Sequence, residues 1–275
     1  YQYNDTSNVI LDINEGTVPE SLEEEKEYLF TMLGISKDNW VNIVDERNFI
    51  PGNLQRYLNE NASKEKKEAF AFGASANLEN PELTYLYYLP LAGASDLRYY
   101  ETDAINVDEN NFENYRRQNL TDEAVFGGRF RRYLRSGSKR ESWSIVTYVI
   151  EGVLYQSEPV RIKIESKPTE WILRDDGVAI NYPQTLRPVF TWADGKINEN
   201  SQYLKVLSNQ SNTFITGIFT EQKSFTYYNE ATITSKIHTV KPPALIFDDQ
   251  YKIFIAGLST DNWVNLIVQH TFIAE

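Results

Sequence analysis

The densest reactive chemistry in the chain is a run of cations. Arg116, Arg117, Arg129, Arg131, Arg132, Arg135, Lys139 and Arg140 fall within 25 positions, with Asp122 and Glu123 among them. Guanidinium forks match planar anions in a bidentate way, so the stripe can grip a sulfated glycan, an anionic surface polymer or an acidic partner. On a strand, Arg129, Arg131, Tyr133 and Arg135 share one face and Phe130, Arg132 and Leu134 the other. The competing reading is a hairpin that is solvated or docked on the acidic N-terminal segment. The whole chain carries a formal net charge of −12 and no nucleic-acid motif, which argues against a partner bound through many phosphates.

The second set is aromatic. Tyr87-Tyr88, Tyr99-Tyr100 and Tyr227-Tyr228 are adjacent pairs. Neighbours on a strand point to opposite faces, so one ring of each pair can be presented to a pyranose. Tyr182 and Trp192 lie near expected loops with Asn181, Asp194 and Asn198 to grip hydroxyls. The ligand-binding candidates are therefore Tyr88, Tyr100, Arg131, Arg135, Tyr182, Trp192 and Tyr228.

Other chemistries lack their residues. With no cysteine, disulfides, thiolate metal sites and cysteine nucleophiles drop out. His238 and His270 stand in no nucleophile or metal-ligand spacing and read as strand or loop histidines. Asp103, Asn106, Asp108, Glu109, Asn110 and Glu113 are dense in oxygen donors but miss the spacing and central Gly of an EF-hand, so they read as a solvated acidic loop. No phosphate loop or dinucleotide fingerprint is present. No catalytic residue, cofactor or metal ligand is assigned, and the chain reads as a noncatalytic binding protein.

These side chains must be held by mostly β elements. Pro19, Ser21 and Glu24 form a capping-box start, and Leu22, Leu29, Met32 and Leu33 fall on one face before Gly34, which predicts an N-terminal helix. A second short helix is expected from Pro51, carrying Leu54, Tyr57 and Leu58. From Phe70 the period becomes strand-like, with strands at Leu83–Leu91, Leu97–Tyr100, Val125–Tyr133, Trp143–Ile150 and Val153–Ile164. Lys167-Pro168 reads as a boundary. Beyond it Phe190 and Trp192 alternate with polar neighbours, Leu204 and Val206 oppose Tyr203 and Lys205, and Tyr251–Ala256 and Trp263–Phe272 complete about seven strands. The expected domains are 1–69, an extended lead and helical attachment, then β-sandwiches over 70–167 and 168–275.

A local construction is used twice: Ile35-Ser36-Lys37-Asp38-Asn39-Trp40-Val41-Asn42-Ile43-Val44 and Leu258-Ser259-Thr260-Asp261-Asn262-Trp263-Val264-Asn265-Leu266-Ile267 nearly coincide. The Asp-Asn pair closes a turn through side-chain to backbone bonds, after which Trp, Val and the next aliphatics anchor a strand.

Pro188-Val189-Phe190-Thr191-Trp192 and Gln202-Tyr203-Leu204-Lys205-Val206, with a weaker echo over Phe70–Ile164, resemble the immunoglobulin-like and fibronectin-type-III-like repeats of surface lipoproteins of the Bacteroidota. That resemblance implies tandem sandwiches displayed outside the cytoplasm, on the outer cell surface or in the periplasm. It also implies a binding role, with a glycan as ligand or a surface protein as the partner of an adhesion, assembly or spacer protein. No apolar run is long enough to cross a bilayer. The start at Tyr1, without an initiator Met, is that expected of a trimmed ectodomain and is compatible with a lipid-bearing Cys just upstream.

Overall fold

The computed structural model describes residues 26–49, 52–76, 83–135, 140–173, 177–195, 197–227, 237 and 241–275. They fall into two units, one ending at Gly52 and the other running from Asn53 to Glu275. In the first, β1 (Tyr28–Ile35) and β2 (Val41–Phe49) form an antiparallel two-stranded sheet.

This hairpin corrects the N-terminal helix over its described part; Ser21–Glu25 lie outside the described residues. Leu29, Met32 and Leu33 satisfy a helical stripe, but Phe30 and Ile35 interleave with them. The Ser36–Trp40 turn then brings β2 back to supply β1 with backbone partners from Tyr28↔Phe49 to Ile35↔Val41. Gly34 sits inside the strand beside the register shift, not at a helix C-terminus. A propensity pattern alone does not outweigh a ladder that satisfies the backbone.

The second unit begins with α1 (Leu54–Glu60), where expected. The Asn53 side chain accepts from the Arg56 N–H at 2.8 Å, and Leu54, Tyr57 and Leu58 are buried. The strands follow as β3 (Lys66–Ala69), β4 (Ala71–Ser75), β5 (Thr84–Tyr88), β6 (Ser95–Thr102), β7 (Tyr115–Gln118), β8 (Thr121–Val125) and β9 (Phe130–Arg135). Next come β10 (Ser142–Ile150), β11 (Val153–Ser157), β12 (Val160–Ile162), β13 (Glu170–Ile172), β14 (Val178–Gln184) and β15 (Arg187–Trp192). The chain closes with β16 (Gln202–Asn209), β17 (Phe214–Thr220), β18 (Ser224–Thr226), β19 (Gln250–Leu258) and β20 (Val264–Ile273).

These strands build a stack of layers. The outermost sheet runs β3-β11-β10-β6-β7, with β12 also on β10. Helix α1 covers one of its faces, packing Leu54, Tyr57 and Leu58 on Tyr100, Tyr115 and Ile145. Its other face meets the sheet β4-β5-β9-β8 through Tyr88, Tyr99, Tyr133, Val146 and Tyr148. The far side of that second sheet, with Phe72, Tyr87 and Phe130, packs on Leu204, Val206, Ala256 and Ile267 of the third, β13-β20-β19-β16-β17. The third closes on β14-β15-β18 through Phe190, Tyr203, Ile253, Leu266 and Phe272. The two middle sheets are thus apolar on both faces. Two sandwiches lie side by side and share a core, a closer union than a linker between tandem modules provides.

The β19–β20 turn locks them together. Trp263 is fully buried in the core of the first sandwich, and its indole N–H donates to the Lys167 carbonyl at 2.8 Å. A Cβ on Gly73 would lie 3.0 Å from the indole, so the bare backbone there makes room for the ring. The Gly73 N–H donates to the Asn262 carbonyl at 3.0 Å, and Lys163 pairs with Asp261 at 2.6 Å. Ser75 and Thr169 exchange backbone-to-hydroxyl bonds of 2.8 and 3.0 Å beside it.

Candidate functional site

Much of the cationic stripe is engaged within the chain; Arg116 is exposed and Lys139 lies outside the described residues. Arg131 and Arg135 lie on the β9 face that meets the first core. Arg131 pairs with Asp122 at 2.7 Å. Arg135 is buried and grips Glu101 through Nε and Nη2 at 2.9–3.0 Å, with Arg140 on the same carboxylate at 2.9 Å. Burial raises the Glu101 carboxyl, but Arg135 and Arg140 outweigh it and hold the group below its ordinary value. On the opposite face Arg132 pairs with Glu123 at 2.5 Å and lies 3.6 Å over the Tyr85 ring.

The aromatic candidates are mostly core. Tyr88 is buried, stacked on Tyr133 with centroids 5.3 Å apart, and donates to Asp122 at 3.0 Å; burial pushes its hydroxyl up. Tyr100 is buried beneath α1, 6.1 Å from Tyr57. Trp192 is buried edge-on to Tyr203 at 5.4 Å. Half-buried Tyr182 donates to the Ile273 carbonyl at 2.8 Å. Tyr228 and His238 lie outside the described residues, and His270 is half-buried on β20. The structure therefore gathers Tyr88 with Arg131 around Asp122 but does not bring the six described candidates onto one surface. Among the described residues, no cluster of three or more His, Asp or Glu could hold a metal.

An open cleft of about 770 Å³ runs between the sandwiches. Phe70 and Phe219 meet edge-to-face there at 4.5 Å, and Glu68, Glu158, Gln202 and Asn262 add polar groups.

Sequence reasoning missed the most exposed apolar feature, the β1–β2 hairpin. Trp40 is 70% exposed, Ile35 62%, Val44 60% and Leu29 59%. Leu33 and Val44 are directly opposed across the hairpin, and alternation puts Phe30 and Met32 on the other side, also exposed. Its turn is the same device as the buried one. The Ser36 and Ser259 N–H groups donate to the Trp40 and Trp263 carbonyls at 2.8 and 2.9 Å. Both serine hydroxyls bond the intervening aspartate, Asp38 or Asp261, and Asn39 and Asn262 take positive φ of 63° and 60°, a region that asparagine tolerates. The duplicated sequence carried this signal. Treating Leu29–Leu33 as a helical stripe hid it.

No family model and no curated protein matches the chain. Among solved structures, one match is the crystal structure of the chicken CNTN1 FN1-FN3 domains, with 10% identity, 90% of this chain and 77% of that chain covered, and a TM-score of 0.27. A superposition that weak carries no argument about fold or function. What stands on the chain's own geometry is a mostly β protein of several sheets with one short α-helix among the described residues. No described helix is long and apolar enough to cross a membrane.

Proposed function

We propose that this is an adhesion, assembly or spacer protein that binds another protein through the β1–β2 hairpin. The observation that carries the reading is the hairpin's apolar exposure on both faces. Contiguous exposed apolar surface of this kind marks interaction sites. Extracytoplasmic display, on the outer surface or in the periplasm as the resemblance to Bacteroidota lipoproteins implies, belongs to the same reading. The test is native-mass analysis of the protein in cells that make it, comparing wild type with paired Leu33→Lys/Val44→Lys. Wild type is expected in a larger assembly and the variant as a folded species outside it; an unchanged assembly would sink the reading.

A second reading, glycan binding, has one observation in its favour: Phe70 and Phe219 line an open cleft rimmed by carboxylates and amides, a form suited to a sugar ring. Saturable binding on an array of neutral and anionic glycans, lost in Phe219→Ala, supports it. Silence from a folded sample removes it.

A further inference from the structure

The resemblance between the two hairpins extends well beyond their turns. Tyr28, Gly34 and Phe49 are matched by Tyr251, Gly257 and Phe272. Every described cross-strand pair of β1–β2 has its counterpart in β19–β20, from Tyr28↔Phe49 against Tyr251↔Phe272 to Ile35↔Val41 against Leu258↔Val264. The register shift falls at the same place in each, between Gly34 and Ile35 and between Gly257 and Leu258. The same chain thus shows one hairpin in two conditions. In β19–β20, β16 pairs antiparallel with one strand, β13 pairs parallel with the other, and the Trp enters a neighbouring sandwich. In β1–β2 the sheet has two strands among the described residues and the Trp is exposed.

Resting on the protein-binding reading above, we infer that the Ser36–Val41 turn is a plug for a β-sandwich of a partner protein, entering it as Trp263 enters the first sandwich of this chain. The occupied copy defines the socket. It has a strand glycine where a side chain would meet the indole, as Gly73 does; a backbone carbonyl to accept the indole N–H, as Lys167 does; and a cation to meet the turn aspartate, as Lys163 does. Asp38 holds the place of Asp261 and is exposed, so the plug presents both an indole and a carboxylate. The corresponding socket of this chain is filled by Trp263, and a second copy carries the same filled socket. That directs the plug to a sandwich other than those described.

The experiment places p-benzoylphenylalanine at position 40 of the full chain, irradiates intact cells that make it, and maps the cross-linked peptides. The expected cross-link lies beside a strand glycine in a β-sandwich of another polypeptide. Without the photoprobe, Trp40→Ala is expected to lower co-purification of that same partner about tenfold or more, and Asp38→Lys to lower it several-fold, while Trp40→Phe retains more of it than Trp40→Ala. Cross-links to a helical protein, to residues 53–275, or to a second copy overturn the inference. So does an assembly that needs Leu33 and Val44 but is indifferent to Trp40 and Asp38: the protein-binding reading then stands and the plug fails. An assembly indifferent to all four residues removes both.

Discussion

Trp40 and Trp263 close turns with the same hydrogen bonds and the same positive-φ asparagine, yet Trp40 is 70% exposed and Trp263 is fully buried. A turn's geometry is local, whereas the energy of its Trp depends on what stands opposite. Trp263→Ala removes a large buried ring together with its N–H bond to Lys167 and should destabilise the protein by about 3–5 kcal/mol. Trp40→Ala should change stability by no more than about 0.5 kcal/mol. Chemical denaturation of the two variants checks the contrast, and comparable losses would mean that Trp40 is buried in solution.

Gly73 provides the complementary test from the socket side. A methyl there would meet the Trp263 ring at 3.0 Å and the Ile162 side chain at 3.1 Å, between groups already packed on both sides. Gly73→Ala should therefore cost about 1–3 kcal/mol through overpacking. Combining it with Trp263→Ala should relieve much of that cost, giving a non-additive double-mutant cycle. Strict additivity would show that the glycine is not there to admit the indole.

Much of the second unit was legible in the sequence because alternation and burial agreed. Phe190 and Trp192 face one core, and Leu204 and Val206 oppose Tyr203 and Lys205 as the period of two requires. The short helix also announced itself through Leu54, Tyr57 and Leu58. The hairpin did not, because five apolar residues between Leu29 and Ile35 fit either period and only the distant pairing of β2 decides. The candidate site was less legible. One ring of each Tyr pair was expected outside, but Tyr87 and Tyr88 are both buried: the sheet that carries them is covered on both faces, a property of layer stacking that no local spacing records. Arg131 and Arg135 were placed on the correct shared face, but that face turns inward to Asp122 and Glu101.

Glu101 shows what that inward turn implies. Glu101→Gln leaves Arg135 buried without its counter-charge and should destabilise by about 3–5 kcal/mol, whereas an apolar replacement of both Glu101 and Arg135 should be far milder. The folded carboxyl lies below its ordinary value. Its contribution is therefore fully present above the unfolded-state value near 4.5 and is lost as pH falls through the folded one. Wild type should lose stability on acidification more steeply than the apolar double variant. Parallel curves would contradict a charged pair.

Lys205 gives a dependence of the same sign at higher pH, through a burial penalty instead of a favourable pair. It is fully buried on the inner face of β16, where Nζ donates to the Ser224 carbonyl at 2.7 Å and stands 4.9 Å from the Trp192 ring centroid. Burial lowers its ammonium from 10.5 to about 7. Between those values the unfolded chain binds the extra proton, so the stability of the wild type rises with pH there; below about 7 both states are charged and the burial penalty is complete. Lys205→Met keeps the stem and removes the charge. It should be the more stable protein at pH 6, by an order of a few kcal/mol, and its advantage should shrink by roughly 1.4 kcal/mol per pH unit between 7 and 10.5. Denaturation at pH 6, 8 and 10 reads this directly. A constant gap would mean that Lys205 reaches water and keeps its proton on folding.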